Sequence, residues 1–277
     1  MQLRVSRGLG TMLTCVLVVG CAAGKGIERD RAMREERPPV VSRRPDEKPP
    51  MVSRPHEQRR PVLYLPFDGS LEEAGPFIFA PRAYGDEVTF GPGVKGQSVF
   101  LGGSGDWINV SLDRRVDITK GATLELWVKR DDWINPYRGG SGTQTVATLN
   151  VMGINIPAMG YPQWGIAGYV EQWDGKTEKV SALTLVRLRS AAGVIRPHVW
   201  NHVALVYDPK SAVVRLYLNG HRVDEGNVSM PIQRHSQSLR LGVWSTPANQ
   251  AYRGYIDELK IYDYPRTAVQ ILQSSKQ

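Results

Sequence analysis

The stretch AVVRLYLNGHRV, from Ala212 to Val223, decides the fold class of this chain. Apolar and polar residues alternate on both sides of Asn219-Gly220, and a period of two residues indicates strands that are covered on one face. Asparagine followed by glycine between two such runs is typical of a type I′ turn, because both residues tolerate a positive φ. The stretch therefore predicts a β-hairpin.

Similar short runs follow one another from Val62 to the end of the chain, among them VLYLPF, SVFLGG, DWINVSL, ATLELWVKR, TVATLNV, KVSALTLVRL, VWNHVALVYD and LRLGVW. Turn residues separate them, in agreement with a total of 28 glycines and 19 prolines. Only PRTAVQILQSS, near the end, has a short helical pattern. Many strands without regular strand–helix alternation predict an all-β, antiparallel β-sandwich with a short C-terminal helical turn.

Six segments place this pattern in a known family: YLPFDGSLEEAG, GVKGQSVFLGGSGDWINV, ATLELWVKR, WNHVALVYD, VRLYLNGHRV and YRGYIDELKIYDYPRTAVQI. Their order and spacing resemble those of the laminin G-like, concanavalin A-like jelly-roll domains. The resemblance implies one jelly-roll domain over residues 62–277. It leaves the function open, because the fold carries lectins, adhesive domains and glycosidases.

The first 20 residues have the three-part pattern of a secretory signal peptide. Arg4 and Arg7 precede the apolar run GTMLTCVLVV, which is too short to span a bilayer comfortably. The ending VVGC resembles a bacterial lipobox, which implies cleavage before Cys21 and acylation of its thiol, for example with palmitate. Ala22 then favours the outer membrane. The alternative is an ordinary signal peptide whose cleavage leaves Cys21 unmodified.

Residues 21–61 combine the acylated cysteine with a segment rich in proline and in both charges, ERDRAMREERPPVVSRRPDEKPPMVSRPHEQRRP. Such a segment buries too little apolar surface to offset its ordering entropy, so it predicts a disordered tether. The formal net charge of +8 arises mainly here: 13 Lys and Arg stand against 7 Asp and Glu in the first 61 residues. From Val62 onward the counts are 22 and 20, which argues against a nucleic-acid partner.

The acidic residues do not form a recognisable catalytic pattern. Glucanases of this superfamily carry a motif like Glu-x-Asp-x-x-Glu on one strand, and it is absent here. Glu125 stands alone among apolar neighbours, and Asp257 and Glu258 are adjacent, which predicts opposite faces of a strand. We therefore assign no catalytic residues and expect a protein that is not an enzyme.

The resemblance also implies a possible structural calcium ion. In this family an early FDGS-like turn often meets a late IDE-like strand at such an ion, and the matching residues are Asp68 and Asp257. Calcium takes six to eight oxygen ligands, so two carboxylates would need several carbonyl groups or waters beside them. The alternative is that Asp257 accepts hydrogen bonds from turn amides and clamps the terminal strands without a metal.

The densest group of aromatic and glycine residues lies between Asp131 and Gly175. Aromatic faces beside turns are typical of sugar-binding sites, so the candidate ligand-binding residues are Trp133, Tyr137, Tyr161 and Trp173. The alternative is that these side chains cover a sheet edge. Trp164 is predicted to be core, and Trp107, Trp127 and Trp200 are assigned to core or structural packing.

The sequence as a whole predicts a lipid-anchored protein of the bacterial envelope. Its jelly-roll domain is expected to bind a glycan or an envelope or extracellular protein without catalysis. A polysaccharide-active glycoside hydrolase and a purely structural envelope protein are the alternatives.

Overall fold

The computed structural model describes residues 59–103, 105–132, 142–157, 163–173, 182–232, 238–244 and 250–277, with the backbone alone at 172–173 and 182–185. These residues belong to one compact unit, Pro55–Gln277. The predicted signal peptide, Cys21 and nearly all of the tether lie outside the described residues. Within the described part, no helix has the length and apolar character needed to cross a membrane.

The described residues form fifteen strands and one short α-helix, as the hydrophobic pattern predicts. The strands are β1 Leu63–Leu65, β2 Arg82–Tyr84, β3 Thr89–Pro92, β4 Gln97–Gly102, β5 Trp107–Ser111, β6 Ala122–Arg130, β7 Thr143–Leu149, β8 Met152–Pro157, β9 Ala167–Trp173, β10 Ala182–Arg189, β11 Asn201–Asp208, β12 Val213–Leu218, β13 His221–Asn227, β14 Ser238–Leu241 and β15 Arg253–Tyr262. The helix, α1, is Ala268–Ser274.

The strands make two antiparallel sheets that pack face to face. Sheet A has the order β13-β12-β11-β6-β15-β4-β3, with β1 also paired to β15, and sheet B has the order β10-β9-β8-β7-β14-β5-β2. Fully buried side chains of both sheets form one continuous core, among them Leu63, Leu101, Ile108, Leu124, Met152, Leu205, Leu241 and Ile256. The predicted all-β sandwich is confirmed.

The hairpin predicted from AVVRLYLNGHRV joins β12 to β13. Asn219 and Gly220 connect the strands with φ values of 49° and 82°, the positive pair that a type I′ turn requires. Asn219 also serves the neighbouring strand, because its Oδ1 accepts a hydrogen bond of 2.9 Å from the amide of His202 in β11. The turn therefore fixes the register of three strands.

Helix α1 begins at a capping box and covers the outer face of sheet A. Thr267 and Gln270 exchange side-chain and backbone hydrogen bonds at its start, and Ile271 packs against Ala204, Val206 and Tyr217. Such a cap satisfies amides that the first turn of a helix leaves without partners.

A buried ion pair connects the start of this helix to the sheet. The guanidinium of Arg266 donates to Glu125 Oε2 and to Ser274 Oγ, and His202 Nε2 lies 3.8 Å from Glu125 Oε1. Burial opposes ionisation of Glu125, but the nearby His202 and Arg266 hold its pKa below the ordinary value. The acidic residue that stands alone in the sequence is thus a structural partner of Arg266.

Candidate functional site

Asp257 lies in the middle of sheet A with its side chain fully buried, at 0% exposure. Its Oδ2 accepts hydrogen bonds from the amides of Val94, at 2.7 Å, and Lys95, at 3.2 Å. Its Oδ1 accepts from the amide of Glu258 at 2.8 Å. Asp257 thus binds the turn between β3 and β4 to the last strand through two turn amides, and the third amide, that of Glu258, lies in the last strand itself.

Asp68 binds the chain at the end of the same turn. Its Oδ1 accepts a hydrogen bond of 2.8 Å from the amide of Gln97, the first residue of β4. Glycines at positions 93 and 96 make this close approach possible: a Cβ at Gly93 would meet Asp257 Oδ2, and one at Gly96 would meet Asp68 Oδ1. The two predicted residues therefore converge on one four-residue turn and on the first residue of β4.

The sequence prediction that Asp257 and Glu258 point to opposite faces is wrong. The register of β15 shifts between Asp257 and Lys260, and Glu258 has a φ of 50°. Within this bulge Glu258 accepts a 2.6 Å hydrogen bond from the hydroxyl of Tyr64 and a 2.7 Å bond from Lys260 Nζ. Tyr64 lies between the buried Leu63 and Leu65, so it faces outward, and both carboxylates lie on the outer face.

The amide hydrogens around Asp257 and Asp68 fit a hydrogen-bonding clamp better than the ligand shell of a calcium ion. Every oxygen of Asp257 already accepts an amide hydrogen, and Asp68 is exposed. Among the described residues no group of three His, Cys, Asp or Glu side chains could hold a metal ion. Calcium would therefore depend on carbonyl oxygens or water for most of its ligands. Its binding at Asp68 and Asp257 stays a prediction.

Of the four aromatic residues predicted to bind a ligand, the structure describes only the backbone of one. Trp133, Tyr137 and Tyr161 lie outside the described residues. Trp173 is the last residue of β9, where its backbone pairs with Ala182, and its side chain is not described. The structure therefore does not test this group.

Three tryptophans assigned to core or structural packing lie outside the core. Trp107, Trp127 and Trp200 are each half-buried, and the outward strand positions explain the first two. Trp107 alternates with the buried Ile108 and shares its face with Asn109, whereas Trp127 alternates with the buried Val128. Trp164, predicted to be core, is half-buried and packs against the core.

Trp200 belongs to an aromatic patch on the outer face of sheet A, which we call the β15 patch and define as Phe100, Lys129, Trp200 and Tyr255. Lys129 Nζ lies 4.2 Å from the ring centre of Tyr255 and 4.8 Å from that of Trp200. The rings of Phe100 and Tyr255 lie 4.9 Å apart. Burial lowers the pKa of Lys129. The four side chains hold one another and are all half-buried.

A second outer surface lies at the edge of sheet B, where β2 pairs with β5. A groove of about 430 Å³ opens there, and we call it the edge groove; the residues that line it include Arg82, Tyr84, Asn109, Ser111, Asp113 and Arg115. At its rim Ile78 is 91% exposed and Tyr84 is 40% exposed. The ring of Tyr84 stacks on Trp107 at 4.1 Å with an interplanar angle of 10°. Sequence analysis missed this surface, although Trp107 alternates in phase with Asn109 and Ser111.

Residues 102–272 match the family model described as the concanavalin A-like lectin/glucanases superfamily. No curated protein gave a match.

Solved structures with the same fold cover 78% of this chain. Domain 4 of AbnA, a GH43 extracellular arabinanase from Geobacillus stearothermophilus in complex with arabinotriose, matches over 98% of its length at 20% identity and a TM-score of 0.55. The botulinum neurotoxin serotype D binding domain matches at 14% identity and a TM-score of 0.59. The binding domain of botulinum neurotoxin DC, in complex with SialylT, matches at 12% identity and a TM-score of 0.58.

The chain spans about half the length of these toxin domains, which are covered to 51% and 50%. At these identities the similarity concerns the fold.

The environment of Asp257 predicts a pH-dependent stability. Burial raises the pKa of Asp257 to about 6, against the lowering effect of its amide bonds. Because an unfolded aspartate titrates near pH ~3.9, the folded state retains the proton between these values. The stability that this residue contributes is present below about pH 4 and is lost as the pH rises through about 6.

We therefore expect the stability advantage of the wild type over Asp257→Asn to shrink between pH 4 and pH 6, on the order of 2 kcal/mol. The measurement is denaturant unfolding of both proteins at pH 4, 5, 6 and 7, with Asp86→Asn, which alters an exposed carboxylate, as the control. An advantage that grows with pH would contradict the raised pKa.

Proposed function

Because the chain belongs to the concanavalin A-like lectin/glucanases superfamily, we propose that it is a glycan-binding protein of the bacterial cell envelope, anchored by lipid at Cys21 and without catalytic activity. The observation that carries the glycan part is the open edge groove, which places stacked aromatic rings beside polar side chains on a rigid sheet. Aromatic surfaces with a few fixed polar groups are typical of small-ligand sites.

Two structural neighbours support the choice of a glycan over a protein partner. The arabinanase domain is described in complex with arabinotriose and the neurotoxin DC domain with SialylT. These ligands belong to those proteins, and they support the proposal only through the shared fold. The following test distinguishes a glycan ligand from an envelope or extracellular protein as the partner.

We expect the purified full chain to bind a subset of saccharides on a glycan array and to release no reducing sugar from them. Tyr84→Ala, which removes half of the stacked aromatic pair, should weaken the array signal, whereas Arg222→Gln on the far edge of sheet A should not change it. Reducing-sugar release that is abolished by one carboxylate substitution would instead identify a glycosidase. Absence of any array signal would favour a protein partner.

The membrane part of the proposal depends on VVGC at residues 18–21 and on the proline-rich segment that follows. Cys15 lies in the segment that signal cleavage would remove, which leaves Cys21 as the single cysteine of the mature chain.

In a bacterial host grown with labelled palmitate, the wild type should carry the label and sediment with the outer membrane. Cys21→Ala should lose the label and leave the membrane fraction. A wild type without label would contradict the lipid assignment, and label in the inner membrane would correct the location.

Calcium at Asp68 and Asp257 is tested by melting. A metal that binds only the folded state adds about 2.7 kcal/mol at a hundredfold excess over Kd, and each kcal/mol shifts the midpoint of a domain of this size by about 2–4 °C. A chelator should then lower the wild-type midpoint by several degrees and leave Asp257→Asn unchanged. An unchanged wild-type midpoint, with no calcium by elemental analysis, would leave Asp257 as an amide clamp alone.

A further inference from the structure

The two strands under the edge groove place a line of polar and aromatic side chains on one face. In the antiparallel register Arg82 lies opposite Asn109 and Tyr84 lies opposite Trp107. Ile108 and Val110 are fully buried, so the side chains that alternate with them, at 107, 109 and 111, point outward. The groove floor therefore consists of residues fixed by sheet pairing.

One wall of the groove carries an ion pair at the protein surface. Arg115 Nε donates to Asp113 Oδ1 at 2.9 Å and to Oδ2 at 2.8 Å. Its guanidinium also lies over the rings of Phe77, at 4.7 Å, and Phe79, at 5.1 Å. The charge of Arg115 is thus matched by Asp113, and its donors are partly used inside the protein.

Arg82 differs from Arg115 in this respect. It is exposed, it lines the groove, and its side chain forms no ion pair or hydrogen bond with the described residues. Because Asp113 is paired with Arg115, the groove retains about one positive charge, and that charge is on Arg82. A guanidinium presents two parallel N–H groups that fit a carboxylate.

A second cation borders the same floor. Arg240 in β14 lies opposite Asn109 in the sheet, and its Nη1 donates a long 3.4 Å bond to the carbonyl of Trp244. Its Nε is buried and has no hydrogen-bond partner among the residues that the structure describes. A buried donor without a partner is uncommon in a folded protein. The guanidinium of Arg240 places a second positive charge beside the floor.

From this arrangement, and on the basis of the function proposed above, we infer that the edge groove binds a saccharide that carries a carboxylate, such as a uronic or sialic acid unit. Tyr84, held against Trp107, provides the flat surface for the sugar ring. Asn109 and Ser111, whose side chains lie 3.4 Å apart, provide hydrogen bonds to hydroxyl groups. Arg82 receives the carboxylate. Among the described residues, Arg82 is the one cation that lines the groove without an anionic partner, and Arg240 lies beside the floor without lining the groove. This arrangement favours one carboxylate over a polysulfated chain, which would need several cations in the groove.

The test compares acidic and neutral sugars of the same size on the purified full chain. Trigalacturonic acid is paired with galactotriose, and sialyllactose with lactose, and dissociation constants are measured by titration calorimetry at low salt. We expect the acidic member of at least one pair to bind about tenfold more tightly, and the difference to shrink as sodium chloride is raised. A heparin-derived oligosaccharide that binds more tightly than both acids would overturn the choice of a carboxylate.

Variants then locate the binding. Arg82→Gln should remove the preference for the acidic sugar by lowering its affinity towards that of the neutral one, and Arg82→Lys should restore part of the preference. Tyr84→Ala should weaken both sugars. Arg222→Gln, an exposed arginine in β13 of the other sheet, is the matched control and should change neither. Circular dichroism confirms that each variant is folded.

The outcomes separate this inference from the proposed function. If the wild type binds sugars on the array but Arg82→Gln keeps the same acidic-to-neutral ratio, the groove assignment is wrong and the glycan-binding function stands. Loss of binding on replacing Trp200 in the β15 patch, with no effect at Arg82, would move the site to sheet A. If the wild type binds no sugar at all, both proposals fail.

Discussion

The buried carboxylate of Asp257 is the constraint on which sheet A depends. Strand β15 pairs with β4 through residues 253–256 and with β1 through residues 259–261. The register shift lies between these two ranges, so the strand changes partners at Asp257 and Glu258. A break in a ladder leaves amides without partners, and each buried donor left so costs about 1–3 kcal/mol. Asp257 accepts the amide of Glu258 within this break, and its other oxygen accepts the amides of Val94 and Lys95 in the neighbouring turn.

Glu258 completes the exchange of partners on the same face. Its positive φ turns the chain out of the regular pleat, and its carboxylate holds Tyr64 of β1 and Lys260 of β15. Burial and the bond to Glu258 raise the pKa of Tyr64. Glu258 thus binds β1, which pairs with the second half of β15, and Asp257 binds the turn before β4, which pairs with the first half. Both acidic residues thus maintain the continuity of the sheet.

Sequence alone predicts the parts of this fold that depend on local pattern. Alternation with period two identifies the strands, and Asn219-Gly220 identifies the hairpin because its steric requirement is confined to two residues. The bulge could not be predicted in this way, because Asp257 and Glu258 have the spacing of an ordinary strand. It arises from competition between β1 and β4 for one neighbour, and these strands are more than 150 residues away in the chain.

The positions of the tryptophans within their strands indicate which of them face outward. In DWINVSL, Trp107 has the phase of Asn109 and Ser111, and in ATLELWVKR, Trp127 has the phase of Glu125 and Lys129. Phase relative to polar neighbours outweighs the apolar character of the side chain itself, because a strand in a sandwich has one buried face. The edge groove could not be predicted from this alternation alone, because only the pairing of β2 with β5 brings Arg82 opposite Asn109.

The position of Arg82 on an edge strand allows a second explanation of its charge. Edge strands expose unpaired backbone groups, and short length and charged side chains protect them from pairing with another molecule. Strand β2 has three residues, all exposed, so protection alone would account for an arginine there. It does not account for Tyr84 stacked on Trp107 at 4.1 Å, because an exposed aromatic pair adds apolar surface to the edge. A ligand that covers the rings and meets the cation accounts for both features with one arrangement.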